Sequence, residues 1–115
     1  MGRRNLRDAK FVKTDLRVIK EFIVTGVLKR ARVVDDTEVV VDCGDIVGHL
    51  YNYRDMGEPG HPVKMRTEIT YSDGSDTLPF GRTWDIPGTE VVSKVMYFYS
   101  AVCHYASARE EFKHL

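Results

Sequence analysis

Along this chain the spacing of apolar and polar positions changes character, and the changes mark out its elements. From residue 89 to 113 the apolar side chains recur at helical spacing. Val91, Val95, Phe98, Val102 and Tyr105 lie on one side, and Val92, Met96, Tyr99, Cys103 and Ala106 lie beside them. Pro87 and Gly88 break the preceding segment, Thr89 can cap the first turn, Glu90 sits near the positive end, and Lys113 and His114 sit near the negative end. A helix resting on one sheet needs an apolar arc of roughly 100°. This arc is wider, so the helix is expected to touch its own sheet and something more. Ser93, Ser100 and Ser107 recur every seven residues, with Met96 and Cys103 between them. That seam of small side chains suits a second copy of the helix, and a homodimer or higher homo-oligomer is the expectation. The other reading is a helix covered entirely within its own monomer.

Residues 22–86 alternate in the manner of strands. Val33-Val34, Asp35-Asp36-Thr37 and Val39-Val40-Val41 read as a hairpin, with turn-favouring aspartates between β-branched runs. Cys43-Gly44-Asp45 makes the next break, Ile46 to Tyr53 the next extended run, and Met56 to Pro62 a loop. Val63 to Tyr71 and Thr77 to Ile86 form a second hairpin around Asp73-Gly74. From Thr14 the chain reads two ways. Leu16, Ile19, Phe22 and Ile23 match a short amphipathic helix, but Val18, Ile19, Phe22, Ile23, Val24 and Thr25 favour strands, and strand is preferred from Phe22 onward with a bend or bulge at Gly26. Residues 1–13 carry Arg3, Arg4, Arg7, Lys10 and Lys13 and read as a solvated basic arm. The expected class is α+β: one domain over residues 1–115, an antiparallel meander of about five strands followed by one long C-terminal helix.

Composition narrows the functional classes. Seventeen Lys and Arg balance seventeen Asp and Glu, so no global field would hold a polyanion, and nucleic-acid contact would need a local patch such as Arg3, Arg4, Arg7, Lys29, Arg30 and Arg32. Cys43 and Cys103 show no paired spacing and read as buried thiols of a reducing, cytoplasmic compartment. No apolar run approaches the ~20 residues of a membrane span, and the charged start is not followed by a secretory apolar core. His49, His61, His104 and His114 stand scattered, and their spacing with Asp45 or Asp55 demands no metal. The sequence shows no nucleophile elbow, zinc-protease helix motif, phosphate-cradling loop or Cys-His pair, so no catalytic residue, metal or cofactor is assigned and a non-enzymatic role is expected.

Two stretches rise above this background, residues 48–54 (Gly-His-Leu-Tyr-Asn-Tyr-Arg) and 65–69 (Met-Arg-Thr-Glu-Ile), joined through Gly60-His61-Pro62-Val63. They interleave rings, an amide, guanidinium groups and a hydroxyl. Such a set suits a small planar anion: rings stack on a base, arginines meet phosphate, and Asn or Thr read ribose or base edges. Phe80, Arg82 and Trp84 add a similar group, and Arg109 would join it if the helix crosses the sheet. The candidate ligand-binding residues are Asn52, Arg66, Thr67, Trp84 and Arg109. The alternative for all of them is cross-strand packing with solvated arginines.

The Gly-x-Leu-Tyr-Asn segment at 48–52, the glycine-containing loop and the Arg66-Thr67 pair resemble small phage proteins with a β-rich N-terminal part and a dimerising C-terminal helix, among them the anti-Thoeris sponge proteins. The resemblance covers about twenty residues plus the order of elements. It implies a dimer in the host cytoplasm whose pockets, lined by aromatic and arginine side chains, sequester a cyclic ADP-ribose-type immune signal without degrading it. Ser72 to Asp76 and the Trp84-Asp85 pair have no counterpart in that pattern. Two other functions fit the residues: a protein-protein interaction module that inhibits a host enzyme through exposed aromatics, and a local nucleic-acid binder acting through the basic arm.

Overall fold

The computed structural model describes residues 9–75, 77–85 and 91–113, with side chains over 9–75 and 91–110. The strands are β1 (Ala9–Phe11), β2 (Ala31–Asp35), β3 (Glu38–Cys43), β4 (Ile46–Asp55), β5 (Val63–Tyr71) and β6 (Thr77–Asp85), and the helices are α1 (Arg17–Val24) and α2 (Val91–Lys113). The sheet follows an antiparallel meander, β2-β3-β4-β5-β6, and the short β1 pairs with β4 off this path. One long C-terminal helix follows the sheet, so the class is α+β. The expected hairpins are where their turn residues place them, with Asp35 and Asp36 at the first and Asp73 and Gly74 (φ 75°) at the second.

Two expectations are corrected. The strand preferred from Phe22 onward is the end of helix α1, so the β-rich part starts at Ala31 and not at residue 22. The helical spacing of Leu16, Ile19, Phe22 and Ile23 outweighs the β-branched composition, because it buries Leu16 and Ile19 in the core with Phe22 and Ile23 against them. Asp15 accepts from the Arg17 amide at 3.1 Å just ahead of the first turn, whose N-cap residue, Leu16, supplies no side-chain capping bond. Gly26, at φ 90°, stops the helix. The second correction concerns residues 9–11 of the basic arm. They form a strand: β3 pairs with β4 from Ile46 to Tyr51, and β1 takes over the same edge from Tyr53 to Asp55. Residues 1–8 and the capping residues Thr89 and Glu90 lie outside the described residues.

The core lies between the sheet and the two helices. Val39, Val41, Ile46, Leu50, Met65 and Ile69 point to this side, where Val91, Val95, Phe98 and Val102 of α2 meet them. Gly48 sets the approach of the helix, since a Cβ there would stand 2.6 Å from Val102 Cγ2 and 2.9 Å from Phe98 Cζ. Much of the surplus breadth of the apolar arc is used within the monomer, while Met96 stays exposed. Val92, Tyr99, Cys103 and Ala106 pack against the same core, and the Tyr99 hydroxyl accepts from the Arg30 amide at 3.2 Å, next to the chain that leaves α1. The serine seam faces outward, with Ser93, Ser100 and Ser107 exposed.

Candidate functional site

Strand alternation divides the two singled-out segments between opposite faces of the sheet. Leu50 stands beside Thr67 and Asn52 beside Met65 on the face covered by the helices, while His49 stands beside Glu68 and Tyr51 beside Arg66 on the other. Of the five candidate residues, Asn52 and Thr67 therefore share one face and Arg66 occupies the opposite one. Trp84 is placed by register next to Met65; its side chain, like those of Phe80 and Arg82, lies outside the described side chains. Arg109 is drawn elsewhere. Its guanidinium bonds Asp45 at 2.9 Å and lies over the Tyr71 ring, 5.2 Å from the centroid, clamping the end of α2 to the β3–β4 turn. The hydrogen bond to Asp45 raises the Arg109 pKa further above its ordinary value.

Asn52 has a structural task. It marks the point where the edge of β4 passes from β3 to β1. Its amide donates to the Thr37 carbonyl at 3.0 Å, its carbonyl accepts from Val12 at 3.2 Å, and its side-chain Nδ2 donates to Thr14 Oγ1 at 3.1 Å. Both Asn52 and Thr67 are closed to solvent, and Asn52 Oδ1 and Thr67 Oγ1 have no hydrogen-bond partner.

The outer face carries a polar row that the sequence did not assemble. Glu38, Tyr51, Glu68 and Thr70 are all buried there although no described helix packs on it. The Tyr51 hydroxyl donates to Glu68 at 3.3 Å, and Phe11 of β1 meets the Tyr51 ring edge-on, with centroids 5.8 Å apart. Burial first, then the Glu68 charge, pushes the Tyr51 pKa well above the usual phenol range, and the nearby Arg66 guanidinium opposes the rise. Next to this pair, His49 bridges two strands: Nδ1 lies 3.3 Å from Glu38 Oε2 and Nε2 lies 3.0 Å from Thr70 Oγ1. A carboxylate only accepts, so the ring proton belongs on Nδ1, and in the neutral ring Nε2 accepts the Thr70 hydroxyl.

This hydroxyl–imidazole–carboxylate chain borders a groove of about 290 Å³, whose lining includes Arg32, Asp42, His49, Thr70, Ser72 and Gly74. Arg32 and Asp42 pair across the rim at 3.1 Å, both more than half exposed. The sequence offered His49 as one of several scattered histidines and Arg32 as part of a basic patch. Glu38 and Thr70 drew no attention. The signal was the alternation itself, because Glu38, His49 and Thr70 become neighbours once the register of β3, β4 and β5 is known. Among the described residues no three His, Cys, Asp or Glu side chains gather as metal ligands, and no helix is long and apolar enough to cross a membrane. Comparison with protein-family models, curated proteins and solved structures finds no match to this chain.

Proposed function

We propose that the chain binds a small nucleotide-like anion in the outer-face groove and holds it without converting it. Sequestration of a cyclic ADP-ribose-type signal is the sharpest form of this reading. The observation that supports it is the groove, in which Arg32, His49 and Thr70 converge on a floor of paired strands. Its volume is near the lower end of the ~300–1,000 Å³ usual for ligand sites, which suits the phosphate and sugar of a nucleotide. Arg32 can exchange Asp42 for a phosphate at little cost, because an exposed ion pair contributes only about 0–1 kcal/mol. Asp42, once released, is an acceptor for ribose hydroxyls.

The test is a thermal-shift screen against cyclic and linear nucleotides. A ligand at 100 times its Kd stabilises by about 2.7 kcal/mol. Heating should then release that ligand chemically intact. A cleaved product, or no shift with any nucleotide, refutes the proposal. One observation favours a second reading, a protein-protein contact: Val24 is 87% and Val27 53% exposed, the first at the end of α1 and the second in the turn after it. Specific co-purification of a host protein, lost on Val24→Ser with Val27→Ser, would support that reading instead.

A further inference from the structure

We propose that Cys43 and Cys103 form a dithiol–disulfide site whose reaction partner is a small anionic disulfide of the glutathione type. The two thiols are sixty residues apart in sequence, on the last residue of β3 and on α2, yet their sulfurs approach to 3.8 Å. Both are free. A disulfide needs its sulfurs about 2.05 Å apart, so the pair must close from 3.8 Å. Cys43 also sits directly before Gly44, a turn residue at φ 77° with open space on its Cβ side.

A cleft of about 180 Å³ leads to the pair, lined by Arg30, Cys43, Cys103, Ala106, Ser107 and Glu110. It has space for the sulfur-bearing centre of a small disulfide, and Arg30 offers its guanidinium to carboxylates left at the mouth. The thiols are unequal. Cys43 is buried, and burial together with the neighbouring Cys103 pushes its pKa up to about 11, whereas Cys103 is only half-buried. Cys103 is therefore the attacking thiol. Its thiolate attacks one sulfur of the incoming disulfide, forming a mixed disulfide and expelling one thiolate that takes up a proton. The Cys43 sulfur, giving up its proton, then attacks Cys103 Sγ and expels the second thiolate. The chain loses two hydrogens, and the oxidised reagent is reduced to two thiols. The product is a covalent tie between the long helix and the sheet.

The experiment incubates the full chain, natively folded, with oxidised glutathione and reads intact mass, thiol alkylation and non-reducing electrophoresis. The expected product is monomeric, lighter by two hydrogens, free of adducts and closed to alkylation, with a Cys43–Cys103 cross-link in the peptide map. Two persistent thiols, two stable adducts or an inter-chain dimer would overturn the proposal. In Cys43→Ser the glutathione adduct should remain trapped on Cys103, while in Cys103→Ser modification of Cys43 should slow by roughly tenfold or more. Equal rates in the two variants would remove the assigned order, and faster modification of Cys43 would reverse it. Arg30→Ala should slow the reaction with oxidised glutathione but not with the neutral hydroxyethyl disulfide; equal slowing with both would remove Arg30 from the site. Neither failure bears on the groove across the sheet, and nucleotide binding there can succeed or fail on its own.

Discussion

The two faces of the sheet bury side chains to similar depth for different purposes. On the covered face Val41, Ile46, Leu50 and Ile69 meet Val95, Phe98 and Val102, and close approach over Gly48 supplies the cohesion. On the outer face Glu38, Tyr51, Glu68 and Thr70 are buried among hydrogen bonds, with the Phe11 ring against Tyr51. Burial of apolar area is favourable without further condition, whereas a buried carboxylate is tolerated only while its partners stay in place. The covered face thus holds the fold, and the outer face spends stability on polar groups next to a groove.

That contrast can be tested by breaking each side in turn. Phe98→Ala, on the covered face, should cost the most, about 3–5 kcal/mol by denaturant unfolding. The alkaline limb of the stability curve comes next. Cys43 has its pKa raised from 9.0 to about 11 by burial, so between those values the unfolded chain releases a proton that the folded chain keeps. Stability from this group is complete below pH 9 and is lost as pH rises towards 11. Cys43→Ala should flatten the limb; an unchanged slope would remove the assignment. Gly48→Ala, which drives a methyl group into Val102 and Phe98, should cost about 1–3 kcal/mol. Tyr51→Phe on the outer face takes a donor from buried Glu68, also at about 1–3 kcal/mol; a neutral or stabilising result would show that the polar row makes no demand on the fold. Arg32→Ala should be the smallest, within about 0.5 kcal/mol for stability, because its pair with Asp42 is exposed. It should nonetheless abolish any nucleotide-dependent thermal shift, and a shift that survives would move the ligand out of the groove.

The extent to which this molecule could be read from its sequence follows the range of the interactions involved. Turn chemistry is local, so Asp35-Asp36 and Asp73-Gly74 announced both hairpins, and the 23-residue α2 carries its period in plain view. Helix α1 was harder to read. Over eight residues, Val18, Ile19, Ile23 and Val24 speak for a strand, and only the core that receives Leu16 and Ile19 decides for a helix. Strand β1, three residues long, has too little sequence to carry a period. At the site, the segments around Tyr51 and Arg66 were recognisable, but register decides which alternate residues share a face. Register sends Asn52 and Thr67 inward and joins His49 to Glu38 and Thr70. Nor does spacing along the chain disclose that Cys43 and Cys103 meet, since a packed helix brings them together.

Strand β4 outlasts its neighbour β3, and three residues near the start of the chain cover the remainder of its border. So small a cover can be exchanged for another strand. Beginning the chain at Val12 would bare hydrogen-bonding groups of Tyr53 to Asp55 beside the buried Tyr51 ring, and molecules shortened in this way are expected to join border to border, as light scattering would register. Strand β1 therefore shields a border of β4 that would otherwise stay open to another strand.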